Sequence, residues 1–129
     1  MLVLALMGLL PVEEAGGPKL RMGAEHLLAE FPTLQMIAIT CGPKGSLLVT
    51  RDQWHQHPGI PVRVADTIGA GDAFTAAMTH YLLRGADLLT LNEAGNRWGA
   101  WVASQSGAMP ALSEAVHAGL NATIENSAL

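Results

Sequence analysis

Short apolar runs alternate along this chain with segments whose apolar residues recur at the spacing of a helix. The most apolar run, residues 2–9, predicts a strand buried on both faces, as in a parallel sheet. Two shorter runs, 36–40 and 46–50, flank a glycine-rich turn and predict a hairpin-like strand pair. Residues 60–65 alternate between apolar and polar positions, which predicts one more strand, and its Pro61 indicates a sheet edge.

Four segments carry the spacing and boundary residues of helices. The first is predicted over 19–31, before Pro32, and the second over about 71–84, with Gly85 as a left-handed cap. A third is predicted to start at the capping-box spacing of Thr90 and Glu93 and to stop at Gly107. A last helix is predicted over 114 to about 124. This order of elements predicts an α/β layer followed by a C-terminal helical cluster.

The first ten residues also resemble the apolar region of a signal peptide. No Lys or Arg precedes the run, and no small-x-small cleavage site clearly follows it, so a buried strand is the better interpretation. The run is too short to span a bilayer, and no other stretch is long enough. A single Cys excludes an internal disulfide framework and fits a reducing compartment, so we expect a cytoplasmic protein.

Composition narrows the classes of partner. The 129 residues suit one compact domain, and the net charge of −4 with only seven scattered Lys and Arg residues argues against a nucleic-acid binder. The mean hydropathy of +0.28 is high for a small domain, which has proportionally more surface to keep in water. This excess indicates that a partner, or a further part of the same chain, covers some of the apolar surface.

The stretch Asp66–Phe74, with the sequence DTIGAGDAF, is the segment most suited to chemistry. It places a glycine-rich turn between the end of a predicted strand and the start of a helix, where successive backbone N–H groups can converge on an anion. Asp72 would repel that anion, so its carboxylate makes sense as a base that takes a proton from a nucleophile aimed at a phosphoryl group. The alternative is that Asp72 merely caps the helix.

This stretch resembles the C-terminal signature of the PfkB (ribokinase-like) family of sugar and nucleoside kinases, which reads roughly Asp-Thr-(Thr/Val/Ile)-Gly-Ala-Gly-Asp-x-Phe. The resemblance implies that Asp72 is the catalytic base and that the backbone of Gly69, Ala70 and Gly71 contributes to the anion hole. The segment Thr40–Gly45 resembles the family's Thr-x-Gly-x-x-Gly loop, although an ordinary hairpin turn is the alternative. By resemblance, ATP approaches residues of this loop and of the third helix: Thr40, Gly42, Gly45 and, beside the adenine, Asn96.

The resemblance also implies two metal ions. Residues 107–110 resemble the family's Gly-Ala-x-Pro, and in many relatives this region holds a monovalent cation such as K⁺. The implied cation ligands here are Asp66, the carbonyl of Ile68, Val102, Gln105 and Gly107. Glu14 resembles the acid of an Asn-x-x-Glu motif that lies near Mg²⁺ through water, but Pro11 replaces the Asn, and Glu14 is alternatively an acid in the first turn of a helix.

Three other features favour structural over functional interpretations. His55 and His57 have the spacing of a metal pair on a strand, but no third ligand is evident, so a solvated loop is favoured. Cys41 has no adjacent base and is interpreted as a small apolar residue at a strand end. Trp98 and Trp101 are interpreted as packing residues.

Taken together, the resemblance implies the C-terminal part of a ribokinase-like, Rossmann-type three-layer α/β fold. Residues 1–129 are expected to form a single nucleotide-binding part, with the N-terminal sugar-binding and lid part absent. The implied reaction is transfer of the ATP γ-phosphate to a sugar hydroxyl, and Ile68 in the third signature position favours a fructokinase-like or ketodeoxygluconate-kinase-like substrate. The alternative is a catalytically inactive remnant that binds nucleotide or forms oligomers. An exposed apolar strand within residues 1–10 is expected to mediate self-association.

Overall fold

The computed structural model of the protein describes residues 2–7, 17–107 and 110–127, with only the backbone course given for residues 2–7. These residues form two compact units, Met1–Gly59 and Ile60–Leu129, and each is described by itself below. The elements are β1 (Leu2–Met7), α1 (Pro18–Glu30), β2 (Leu34–Thr40), β3 (Ser46–Thr50), β4 (Trp54–His57), α2 (Ala70–Leu82), α3 (Leu88–Ala103) and α4 (Glu114–Ser127).

The first unit is a four-stranded sheet in the order β1-β2-β3-β4. β1 runs parallel to β2, with Leu4 opposite Ile37, whereas the pairs β2–β3 and β3–β4 are antiparallel. The predicted first strand and the predicted strand pair are therefore confirmed, although residues 8 and 9 of the first prediction lie outside the described residues. One core cluster joins helix α1 to the middle strands: Ala24, Leu28, Leu34, Ile37, Ile39, Leu47 and Val49.

The predicted strand over residues 60–65 is wrong, because that segment has no strand pairing. The strand lies earlier, at Trp54–His57, in the segment interpreted from its histidines as a solvated loop. β4 does alternate in burial, since Trp54 and Gln56 are exposed while His57 is buried. Its buried side carries imidazole instead of aliphatic side chains, so a pattern based on apolar residue types does not detect it.

The second unit is helical, and its main pair is α2 against α3. Helix α2 buries Phe74, Met78 and Tyr81, and the chain leaves it through Gly85, whose φ of +76° confirms the predicted left-handed cap. α3 begins earlier than predicted, because the side chain of Asp87 is the cap and accepts the N–H of Thr90 at 2.8 Å. Thr90 is thus a buried residue inside the helix, and its predicted role in a capping box is wrong.

Two helix ends differ modestly from their predictions. α3 ends at Ala103, before the predicted position 106, and Gly107 then turns the chain with φ +90°. α4 continues past the predicted end at 124 to Ser127. Among the described residues, none of the helices combines the length and the apolar character needed to cross a membrane.

Candidate functional site

The signature segment forms a tight turn that leads into α2. Asp66 Oδ1 accepts the N–H of Ile68 at 2.9 Å, and the carbonyl of Thr67 accepts the N–H of Ala70 at 3.2 Å. Gly69 is the N-cap of α2 and has φ +84°, a left-handed conformation that glycine adopts without the steric cost of a Cβ. These contacts fix the direction in which the first turn of α2 presents its backbone.

The start of α2 has unused backbone donors. Among the described residues, the N–H groups of Gly69, Gly71 and Asp72 have no hydrogen-bond acceptor. The N–H of Ala70, in contrast, donates to the carbonyl of Thr67. The first N–H groups of any helix lack intrahelical partners, and the aligned peptide dipoles add about half a positive charge there. The signature turn therefore leaves three backbone N–H groups available to an acceptor such as an anion.

Asp72 lies in this first turn with an exposed side chain. It is the third residue of α2, and the N-cap position belongs to Gly69, so the structure does not give Asp72 the capping role of the alternative interpretation. Within the described part of the chain, no donor bonds its carboxylate and no cation pairs with it. Asp72 can therefore accept a proton from a group that reaches the N-terminal end of α2.

Two glycines of α3 set how closely α2 approaches, and sequence reasoning did not assign them this role. A Cβ added to Gly95 would lie 2.6 Å from Cε2 of Phe74, and one added to Gly99 would lie 3.1 Å from the carbonyl oxygen of Ala70. The two glycines are four residues apart and so share one face of α3. That bare face accommodates the Phe74 ring and the first residue of α2, which positions the signature turn. The i,i+4 spacing of the glycines is the sequence signal for this packing.

Asn96 lies on α3 and is buried at 8% exposure. Its Nδ2 donates to the backbone carbonyl of Asn92 at 2.7 Å and to Asn92 Oδ1 at 3.1 Å. Both bonds run along α3, so they fix the orientation of the Asn96 amide before any ligand is present.

The segment before the signature is tied to the end of α3. The N–H groups of Ala65 and Asp66 donate to the carbonyl of Ala103 at 2.8 and 3.2 Å. Three of the other implied cation ligands lie near this end of α3 in sequence. Val102 is buried, Gln105 donates its N–H to the carbonyl of Val102 at 3.0 Å, and Gly107 makes the exit turn. This connection brings the backbone of Asp66 to the C-terminal end of α3.

The oxygen atoms of this region are of the type that binds hard cations. Asp66 uses Oδ1 for the N–H of Ile68, while its Oδ2 has no donor among the described residues. A carboxylate oxygen with backbone carbonyls is a set of hard oxygen ligands, as alkali and alkaline-earth cations require. The described ranges contain no cluster of three or more His, Cys, Asp or Glu residues. Glu14, the implied Mg²⁺ residue, lies outside the described residues.

The Thr40–Gly45 loop belongs to the first unit and joins β2 to β3. Thr40 ends β2 opposite Ser46, and Gly42–Lys44 form a short 3₁₀ turn closed by the N–H of Gly45 on the carbonyl of Gly42 at 3.1 Å. Gly42 has φ +56° and Gly45 has φ +91°, so both need conformations that other residues rarely adopt. The loop is therefore a defined glycine-dependent turn.

Cys41 in the same loop is half-buried and packs against the core cluster of the first unit. Burial raises the pKa of its thiol, and the Lys44 ammonium opposes this only in part. A thiol with a raised pKa is a poor nucleophile, which agrees with the packing role expected from the sequence.

The amino-acid sequence of this chain is similar to those of one family of known proteins. The profile of the pfkB family carbohydrate kinases matches residues 20–115. ATP-dependent 6-phosphofructokinase isozyme 2 of Mycobacterium tuberculosis is 35% identical over 80 residues, covering 62% of this chain and 24% of that protein. Probable fructokinase-6, chloroplastic, of Arabidopsis thaliana is 40% identical over 98 residues, covering 69% of this chain and 26% of that protein. The chain thus spans about a quarter of the length of these relatives.

A solved structure agrees on the fold. Phosphofructokinase-2 from Escherichia coli in complex with potassium matches 95% of this chain and 41% of its own, with a TM-score of 0.76 and 22% identity. The expected partial ribokinase-like α/β fold is confirmed by this likeness. Together with the profile match over most of the chain, it shows that this chain belongs to the pfkB family of carbohydrate kinases.

Proposed function

We propose that this chain supplies the nucleotide side of a kinase that transfers the γ-phosphoryl group of ATP to a sugar hydroxyl. The observation that carries the proposal is the start of α2, where the exposed Asp72 carboxylate lies among backbone N–H groups without acceptors in the described structure. A base beside an anion-binding turn is the combination that phosphoryl transfer to a hydroxyl needs.

In this reaction Asp72 accepts the proton of the attacking hydroxyl, so that the oxygen bonds to phosphorus as the bond to ADP breaks. The N–H groups of Gly69, Gly71 and Asp72 donate to the oxygens of the transferring phosphoryl group, where negative charge is concentrated. The bonds of Ala70 and Asp66 within the turn hold these donors in place before substrate arrives.

Thr40, Gly42 and Gly45 are proposed to contact the phosphates and ribose of ATP, and Asn96 the adenine. Mg²⁺, when bound, would neutralise phosphate charge, with Glu14 as the proposed residue near its water shell. K⁺ would take oxygen ligands from the group named above, Asp66, Ile68, Val102, Gln105 and Gly107. Two observations support this assignment: Asp66 Oδ2 has no donor among the described residues, and the similar Escherichia coli structure is a complex with potassium.

The proposed acceptor is a fructose-like or ketodeoxygluconate-like sugar. Two observations support a hexose-type acceptor: Ile68 in the third position of the signature, and the fructokinase and 6-phosphofructokinase named among the relatives. The proposed location is the cytoplasm, and the single cysteine supports it.

Asp72→Asn tests the catalytic proposal. The amide keeps the shape of the side chain but is a far weaker base, so phosphorylation of the best sugar in a panel should fall at least about 100-fold. Binding of an ATP analogue, measured by calorimetry, should persist. Asp52→Asn is the matched control, because Asp52 is also exposed and lies outside the signature turn. Near-normal turnover by Asp72→Asn would contradict the role of the base.

A second candidate function is nucleotide binding or oligomer formation without catalysis. It applies to the 129 residues taken by themselves, which span 24% and 26% of the two relatives. Calorimetry and a phosphorylation assay on the 129-residue chain separate the candidates. Nucleotide binding without turnover would support this second function, and turnover would support the first.

A further inference from the structure

His57 is a buried imidazole that the proposed mechanism does not use. It ends β4, is only 7% exposed, and lies opposite Ser46, the residue that directly follows the Thr40–Gly45 loop. Its Nδ1 accepts the backbone N–H of Gly59 at 3.0 Å. An imidazole that accepts at Nδ1 has its N–H on Nε2.

The segment that His57 holds lies tightly against the loop. A Cβ on Gly45 would come within 1.8 Å of the His57 carbonyl oxygen and 2.5 Å of the Gly59 nitrogen. A Cβ on Gly59 would come within 2.5 Å of the carbonyl oxygen of Pro43. The two glycine backbones therefore interlock in close contact, and a side chain at either position would push the two segments apart.

Gly59 also has φ +92°, a conformation that glycine adopts without the steric cost of a Cβ. The N–H of Gly59 donates to His57 Nδ1, and this bond holds the peptide that packs on Pro43 and Gly45. Loss of that acceptor would free the 57–59 turn and, through the interlock, widen the set of conformations open to the Thr40–Gly45 loop.

We propose that His57 is a positioning residue for the nucleotide loop: its Nδ1 holds Gly59, and Gly59 in turn holds Pro43 and Gly45 in the conformation that receives the phosphates. This inference rests on the proposed function, because it requires that the loop binds nucleotide. His57 lies outside both the Thr40–Gly45 loop and the Asp66–Phe74 stretch. Its role is in the affinity for ATP and not in the proton transfer at Asp72.

The test compares His57→Leu with His57→Asn in the 129-residue chain. Asn places an oxygen where Nδ1 lies and can accept from Gly59, whereas Leu has a similar size and no acceptor. Calorimetry with a non-hydrolysable ATP analogue and Mg²⁺ should give an affinity about fivefold weaker for His57→Leu, the effect of one buried hydrogen bond, and within about twofold of wild type for His57→Asn. In a chain that turns over, the same difference should fall on KM for ATP, with kcat unchanged.

The outcomes distinguish this inference from the proposed function. Equal affinities of wild type and His57→Leu, or equal losses in both variants, would overturn the role of His57 and leave the nucleotide site standing. A wild-type chain that binds no nucleotide would overturn both.

A second measurement needs no substitution, in case His57→Leu does not fold. Coupling between two sites is reciprocal, so if the His57–Gly59 bond strengthens nucleotide binding, nucleotide must strengthen that bond by the same factor. Saturating nucleotide should therefore slow amide hydrogen exchange at Gly59 about fivefold. The amide of Phe31, bonded to Leu27 at the end of α1, is the control and should change little. Unchanged exchange at Gly59 would overturn the proposal.

Discussion

At the scale of single residues, the position of the signature turn depends on two glycines of α3 that have no Cβ atom. Gly95 leaves room for the Phe74 ring, and Gly99 leaves room for the carbonyl of Ala70. Phe74 and Ala70 belong to the same first turns of α2 as Asp72. The face of α3 therefore sets where the proposed base points, although neither glycine touches a substrate.

Gly95→Ala should destabilise the protein, since the new Cβ would lie 2.6–2.7 Å from three carbons of Phe74. Forcing an extra methyl into a packed interface costs about 1–3 kcal/mol. Gly119→Ala is the matched control: Gly119 lies in α4, and outside the nearby backbone of its own helix no described atom lies within 4 Å of its added Cβ. There the gain in helix propensity should stabilise by about 0.5–1 kcal/mol. Urea unfolding followed by circular dichroism measures both, and equal stability of the two variants would contradict the packing argument.

At the scale of elements, Arg51 connects the end of α1 to the start of β2. Its Nη1 donates to the carbonyl of Leu34 at 2.6 Å, and its Nη2 donates to that of Leu28 at 2.6 Å. Nη2 also reaches the carbonyls of Phe31 and Pro32, both at 3.2 Å. The last carbonyls of a helix lack intrahelical donors and carry partial negative charge, so a guanidinium is well suited to this place.

Arg51→Ala should therefore lower the free energy of unfolding by about 1–3 kcal/mol, because it removes charged donors from several carbonyls together. Arg51→Lys should recover less than half of the loss, since an ammonium cannot reproduce the planar fork. Lys19→Ala, an exposed position in the first turn of α1, is the control and should change stability by less than about 0.5 kcal/mol. A loss in Lys19→Ala as large as that in Arg51→Ala would mean that charge alone, and not the carbonyl contacts, is responsible.

The elements also differ in how far neighbouring residues in the sequence predict them. α1, α2 and the β2–β3 pair were predictable, because apolar spacing and glycine or proline boundaries are properties of neighbouring residues. The capping role of Asp87 was missed, since the Thr90–Glu93 pair imitates a cap where the chain already lies inside α3. β4 was missed because His57 occupies its buried face, and that burial depends on Gly59, Gly45 and Ser46. Arg51 acts on carbonyls 17 or more residues away in sequence, where periodicity carries no signal. The i,i+4 spacing of Gly95 and Gly99 marks a bare face of α3, but it does not identify the residues of α2 that pack there.

At the scale of the whole molecule, β1 is the edge strand of the described sheet, and no described strand covers its outer side, here called the open side. β1 stands at one end of the order β1-β2-β3-β4 and pairs with β2 alone among the described strands. The mean hydropathy of +0.28 and the quarter-length match to the relatives agree with a surface that another strand covers. We propose that in the 129-residue chain this strand comes from a second copy.

Proline substitutions in β1 test this self-association. In a parallel strand, the N–H groups of successive residues point to opposite neighbours, so of Leu4 and Ala5 one donates toward β2 and the other toward the open side. Proline removes the donor and is tolerated only where the N–H faces no partner. Light scattering over a concentration series should show wild type growing in mass. One of Leu4→Pro and Ala5→Pro should remain folded at the mass of a single chain, 13.5 kDa, while the other loses stability because it breaks the β1–β2 ladder. A wild type that stays at that mass at high concentration would contradict the proposal, as would association that persists in both variants.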